Sequence, residues 1–202
     1  MADFLAKIGL DKLERAIIYG LVLVLVYILV AKGFYGDRQW LSFFMRWLHV
    51  LSGVMWIGLL WYFNFVQIPS MPKIPDEQKP AVSKVIAPAA LFWFRWAALA
   101  TLITGLLLAA LNGYLIESVT LGWTGGGILA TRIGIGMWLG AIMAYNVWMI
   151  IWPNQQKALG MVEASPDAKK AAARMAMLTS RVNTMLSIPM LYAMVGAQNL
   201  GA

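Results

Sequence analysis

Apolar residues are gathered into five long runs, near 16–34, 42–66, 90–112, 128–152 and 182–199, separated by shorter polar stretches. A helix crosses the hydrocarbon core of a bilayer with about 20 apolar residues. Each run therefore predicts a transmembrane helix. The first, "AIIYGLVLVLVYILVAKGF", is almost purely aliphatic and suits a lipid-facing anchor. Ahead of it, "MADFLAKIGLDKLER" carries apolar residues at helical spacing and predicts a segment lying along the membrane interface. The connection from Ile68 to Pro80 holds four prolines and is expected to interrupt the helical pattern, as is "GWTGGG" before the fourth run.

Lysine and arginine fall unevenly between the runs. The N-terminal segment has Lys7, Lys12 and Arg15, the second loop Lys73, Lys79 and Lys84, and the fourth Lys157, Lys169, Lys170 and Arg174; the third loop has none. Basic loops stay in the cytoplasm, so the N-terminus is expected there and the C-terminus in the periplasm. The expected fold is an all-α integral membrane protein, a bundle of about five transmembrane helices forming one domain over 1–202. Residues 1–41 make the interfacial segment and anchor. Nothing after the first run resembles a signal-peptide cleavage site, so that span is expected to remain.

Composition agrees. The chain is 61% hydrophobic and 12% charged, against about 45–50% and about 25% in soluble domains. Its formal charge of +7 sits mostly in the loops, where it sets topology and meets anionic lipid, so no nucleic-acid partner is expected. With no cysteine and one histidine, the chain has no disulfide and no multi-histidine metal centre.

Ionisable residues inside a membrane need a partner, a route to the interface or a task. The runs contain Arg46, Arg95, Arg132, Arg181 and His49 but no carboxylate, which argues against a cation pathway. Helical rise places Arg46 and His49 within about 5–12 Å of the outer face, with Arg132 at a similar level. Arg95 and Arg181 fall near the cytoplasmic side. One reading has all four arginines reaching to lipid phosphates. Another has Arg46 and Arg132 binding the acidic groups of an embedded cofactor, such as haem propionates, beside His49.

His49 shares a helix face with Arg46, Ser52, Gly53 and Trp56, and Gly53 leaves room for a flat ligand or a close-packed helix. Three roles are open to it: a hydrogen bond to a neighbouring helix, an axial bond to a b-type haem, or contact with a quinone or small substrate. Met137, Met190 and Met194 lie at a depth compatible with a second haem ligand. In the fourth run, Gly136, Gly140 and Ala144 form a small-xxx-small stripe and Asn146 can bond across helices, a packing pattern within or between chains. Trp40, Trp123 and Trp152 suit interfacial belts, while Trp47, Trp56, Trp61, Trp93 and Trp96 are candidates for an interior. No phosphate loop, nucleophile elbow or catalytic carboxylate pair is present.

Four stretches together resemble the membrane-embedded urate oxidase N-terminal domain family: "RWLHVLSGVMWIG" at 46–58, "WFRWAALATLITGLLL" at 93–108, "LGAIMAYNVWMIIWPNQQK" at 139–157 and "NTMLSIPMLYAMV" at 183–195. They run in order over about 42–198. The resemblance implies a bacterial inner-membrane scaffold whose full-length relatives carry a cytochrome c domain after the spans and act on urate. This chain departs from that pattern: Gly134 and Val182 stand where the family has histidines, and the sequence ends at Ala202 without a cytochrome domain. His49 and Arg46 match the family's first motif.

Two functions follow as expectations. One is an inner-membrane redox module that binds haem b through His49 and passes electrons to a cytochrome c or respiratory partner. The other is a non-catalytic subunit that docks other membrane subunits, or a second copy, through its Arg, Trp and Gly stripes.

Overall fold

The computed structural model describes residues 1–31, 33 and 36–200, apart from the side chains of residues 2 and 3. Lys32 and Phe34, at the end of the expected first span, lie outside the described residues. All regular structure among the described residues is helical. In order the elements are α1 (Ala2–Lys7), α2 (Leu13–Val30), α3 (Arg38–Trp61), π1 (Tyr62–Gln67), α4 (Ile68–Ser70) and a 3₁₀ turn (Met71–Lys73). There follow α5 (Lys79–Ala81), π2 (Val82–Ile86), α6 (Ala87–Asn112), α7 (Leu115–Val119), α8 (Gly127–Tyr145), π3 (Asn146–Ile151), α9 (Trp152–Ala158) and α10 (Pro166–Asn199).

Four helical rods are long and apolar enough to cross a membrane: Leu13–Val30, Arg38–Lys73, Lys79–Asn112 and Gly127–Ala158. The fifth expected run is present as the C-terminal half of α10. Asn183, Thr184, Ser187 and Gln198 leave it less apolar than the other four, and it is not among them.

The chain divides into two compact units, Met1–Leu41 and Ser42–Ala202. In the first, Gly9 turns the chain at a φ of +79° that a side chain would strain, and the Tyr19 hydroxyl donates to the Ile8 carbonyl at 2.6 Å, fixing α1 to α2. No side chain of α2 is buried.

In the second unit α8 packs closely on α10. Its core gathers Trp56, Leu60, Phe94, Ala98, Met143 and Val147. At the centre Asn183, with no exposed surface, accepts from Asn146 Nδ2 at 2.8 Å and donates to the Met143 carbonyl at 2.9 Å. A buried amide with both ends bonded locks α10 to the junction of α8 and π3. By contrast α3 and π1 are tethered by single polar links at successive levels: Ser42 Oγ to Asn112 Oδ1 (2.9 Å), His49 to Thr101, Trp61 Nε1 to Ser187 Oγ (3.0 Å) and Asn64 Nδ2 to Ser180 Oγ (2.8 Å).

The proline-rich connection differs from expectation. Helix continues through Pro69 to Lys73 and resumes at Lys79, because prolines 69, 72 and 80 each fall at the first or second position of a new helical segment, where no N–H is needed. Pro88 and Pro153 open α6 and α9 in the same way. Each of the three π-helical stretches ends two residues before a proline: Gln67 before Pro69, Ile86 before Pro88, Ile151 before Pro153. A proline cannot bond the carbonyl four residues back, and its ring crowds that carbonyl. The carbonyls concerned are those of Phe65, Lys84 and Met149, each inside a π stretch, so the wider turn follows from the local sequence.

Candidate functional site

A cavity of about 610 Å³ lies within the Ser42–Ala202 unit, where α3 stands away from α6, α8 and α10. His49, Arg46, Met137, Met190 and Met194, all singled out in the sequence, line it. So does Gly53, where a methyl group would only touch Thr101 Cγ2 at 3.9 Å. A smaller adjoining cleft of about 270 Å³ shares His49, Trp56, Met137 and Met190 with it.

His49 is the organised element of this cavity. Its Nδ1 lies 2.9 Å from the Thr101 carbonyl oxygen. A carbonyl only accepts, so Nδ1 carries the proton and donates. Thr104 Oγ1 is 3.3 Å from the same nitrogen, but its own hydrogen goes to the Ala100 carbonyl at 2.6 Å. In the neutral ring the proton then sits on Nδ1 and Nε2 keeps its lone pair, and no described residue bonds it. A histidine that binds a metal is commonly oriented in this way, its other nitrogen donating to a backbone carbonyl.

Gly105 makes that placement possible. A methyl group at Gly105 would lie 2.8 Å from His49 Cε1 and 3.1 Å from Nδ1, too close for any real contact. The ring therefore rests on bare backbone one turn beyond Thr101. Neither Thr101 nor Gly105 is conspicuous in the sequence, because an unremarkable apolar helix supplies both. Trp56, 2% exposed, also faces the cavity wall, and its indole N–H has no acceptor among the described residues.

The rim is polar. Arg46 donates from its guanidinium to Gln198 Oε1 at 3.4 Å, and Tyr114 stands near it. Burial pushes the Tyr114 phenol above its ordinary range, with the Arg46 charge pulling partly the other way, so the hydroxyl stays protonated. Arg132 does not line the cavity; its guanidinium donates to the Leu200 carbonyl.

The packing residues divide. Gly136 lies against Met194, whose sulfur would be 3.3 Å from a methyl there, and Ala144 is buried. A methyl group at Gly140 would meet no neighbouring atom within 4 Å, and Gly140 borders the smaller cleft, so its lack of a side chain leaves space instead of drawing a helix in. Asn146 bonds Asn183 across to α10. Gly134 is closely packed: a Cβ would lie 2.1 Å from the Ser118 carbonyl oxygen, so α7 leaves no room for the histidine of the family pattern. Val182, the second such position, is exposed.

Arg95 stands outside this cavity. Its Cζ is 3.2 Å from the ring centroid of Trp152 and 5.7 Å from that of Trp148, so indole faces stand where a counter-ion would. Arg181 is exposed. Of the tryptophans expected inside, Trp56 is buried, whereas Trp93 and Trp96 are about half exposed.

Residues 118–199 match the family model described as "Urate oxidase N-terminal". The match takes in α8, π3, α9 and α10, and with them the "NVWMIIWPNQ" and "NTMLSIPML" stretches that carried the resemblance. It thus spans the methionine side of the cavity and Arg132. His49, Arg46 and α6 lie outside it. No curated protein and no solved structure matches the chain.

Proposed function

We propose that this chain is a multi-pass protein of the bacterial inner membrane that acts as a redox module of the urate oxidase N-terminal type, binding a b-type haem in the cavity beside His49. The observation that carries the reading is the imidazole itself, with Nδ1–H given to the Thr101 carbonyl and Nε2 left without a partner among the described residues beside a cavity of about 610 Å³. The residues fit the group. His49 would supply an imidazole ligand, Met137, Met190 or Met194 a thioether ligand, and Arg46 the positive charge for a propionate. Bound there, the haem would supply one-electron chemistry, passed on to a cytochrome c or another respiratory partner.

The topology that goes with this reading is five spans, with the N-terminus cytoplasmic, the C-terminus periplasmic and His49 near the outer face. The apolar surface of the four long rods supports insertion, since exposed residues such as Leu25, Leu29, Phe65 and Ile103 need lipid around them. Between its links to α8 and its serines, α10 would complete the bundle as a fifth, partly polar span.

One observation favours the rival reading of a non-catalytic accessory subunit: only one of the two candidate arginines faces the cavity, Arg132 being turned to the chain's own C-terminal backbone. An optical spectrum of the detergent-purified protein separates the two. Sharp α and β bands with a Soret peak on dithionite reduction are expected. A flat spectrum, with stoichiometric subunits recovered in mild detergent, gives the accessory reading instead.

A further inference from the structure

A second cavity, about 290 Å³, lies at the opposite end of the Ser42–Ala202 unit from His49, and its walls are built where the helices are widened. The three π-helical stretches all contribute: Phe63 and Gln67 from π1, Ser83 from π2 and Ile151 from π3. Such stretches often mark functional sites because they re-aim side chains that a regular helix would direct elsewhere.

Its chemistry is specific. Among the described residues, no ionisable side chain lines it. Phe63 and Phe94 meet edge to face there, with centroids 5.7 Å apart. The Gln67 Oε1 oxygen is buried and accepts nothing. Ser180 Oγ accepts from Asn64 Nδ2 at 2.8 Å, and its own hydrogen has no acceptor among the described residues. Behind it, the buried Asn64 Oδ1 is also without a donor. Ser83, whose hydroxyl donates to the Lys79 carbonyl at 3.1 Å, and Gln155 are the other polar residues of the lining. The wall therefore offers an acceptor at Gln67 and a hydroxyl at Ser180 that can still donate, within a mainly apolar slot that includes Phe63 and Phe94.

We infer that this slot binds the hydroxylated ring of a membrane quinol. An uncharged wall selects an uncharged ligand. The flat apolar body lies against Phe63 and Phe94. A phenolic hydroxyl has the chemistry both wall groups lack, since it can donate to Gln67 Oε1 and accept from Ser180. A quinone carbonyl only accepts, so it would leave Gln67 buried and unpaired, a penalty that makes the oxidised form the weaker ligand. The site is separate from the His49 cavity and does not depend on what that cavity holds.

Calorimetric titration of the detergent-purified chain with a short-tailed ubiquinol, and separately with the matching ubiquinone, tests this. One saturable quinol site per chain is expected, with the quinone bound about tenfold more weakly. Gln67→Leu should bring the two forms to equal affinity, and Ser180→Ala should weaken both. The comparison of the two forms on the unaltered chain needs no variant to fold. Equal affinities there, non-saturable partition into detergent, or a cavity that takes up water and neither ligand would each overturn the inference. Quinol binding by a chain that shows no haem band would overturn the haem proposal and leave this site standing.

Discussion

At the His49 end of the Ser42–Ala202 unit the helices are regular, and room comes from missing side chains: Gly53, Gly105 and Gly140 leave the space that the cavity occupies. At the other end the same rods are interrupted before Pro69, Pro88 and Pro153, and room comes from wider turns of backbone. The first device leaves every backbone hydrogen bond in place and presents one fixed imidazole. The second redirects side chains and leaves amide oxygens unpaired. Space made by glycine is thus suited to holding a ligand rigidly against a helix, and space made by proline to offering polar groups that a regular helix would already have used.

The largest effect tests glycine as a packing device. Gly134→Val places a branched side chain against the Ser118 carbonyl, 2.1 Å from where its Cβ would lie, and neither backbone is free to yield. A loss of about 3 kcal/mol or failure to recover folded protein is expected, read by size exclusion and thermal melting in detergent. Melting like the unaltered chain would show that α7 moves freely.

Asn183→Ala comes next. It removes the amide that joins Met143 and Asn146 to α10 and leaves both groups buried, at a cost of about 1–2 kcal/mol in detergent unfolding. Gly105→Ala sharpens the contrast from the other side. The added methyl meets an imidazole that can swing, so stability should fall by less than about 1 kcal/mol while haem affinity drops about tenfold. Equal loss of stability and of haem would mean that Gly105 serves the fold alone.

Arg95→Leu should cost about 1 kcal/mol through the lost stack on Trp152 and leave any haem spectrum unchanged. Least affected is the connection between Lys73 and Lys79. There the hydrogen bond from Lys79, and then its charge, hold the Asp76 carboxyl below the usual carboxylate range. A depressed carboxylate pKa favours the folded state above that range, and the contribution is lost as pH falls through the folded-state value. The pair is solvent-exposed, so Asp76→Asn should leave the melting temperature unchanged at neutral pH.

Much of this was legible in the sequence because membrane spans are written in composition. Four of the five apolar runs correspond to helical rods that meet the length and apolarity of a span, though the third rod begins at Lys79 where the run was expected from 90. That His49, Arg46 and three methionines come together was legible too: they line one cavity, as their common level along the helices led one to expect. What stayed hidden was supplied by partners that sequence does not pair. Thr101 contributes a backbone carbonyl, which every residue has, and Gly105 an absence. The indole stack on Arg95 joins positions more than fifty residues apart, and the pattern suggested lipid phosphate. Prolines flag a break without specifying its form: Pro189 lies inside α10 with no π-helical stretch before it, so the motif alone would not have forecast the widened turns.

The central claim is that His49 Nε2 ligates a haem iron. Its most direct measurement is a haemin titration of the purified apo-chain beside His49→Ala, followed by absorbance under reducing conditions. The account predicts a Soret band that saturates at one haem per chain in the unaltered protein and is absent from the variant. The same band at the same stoichiometry in both, or none in either, would contradict it.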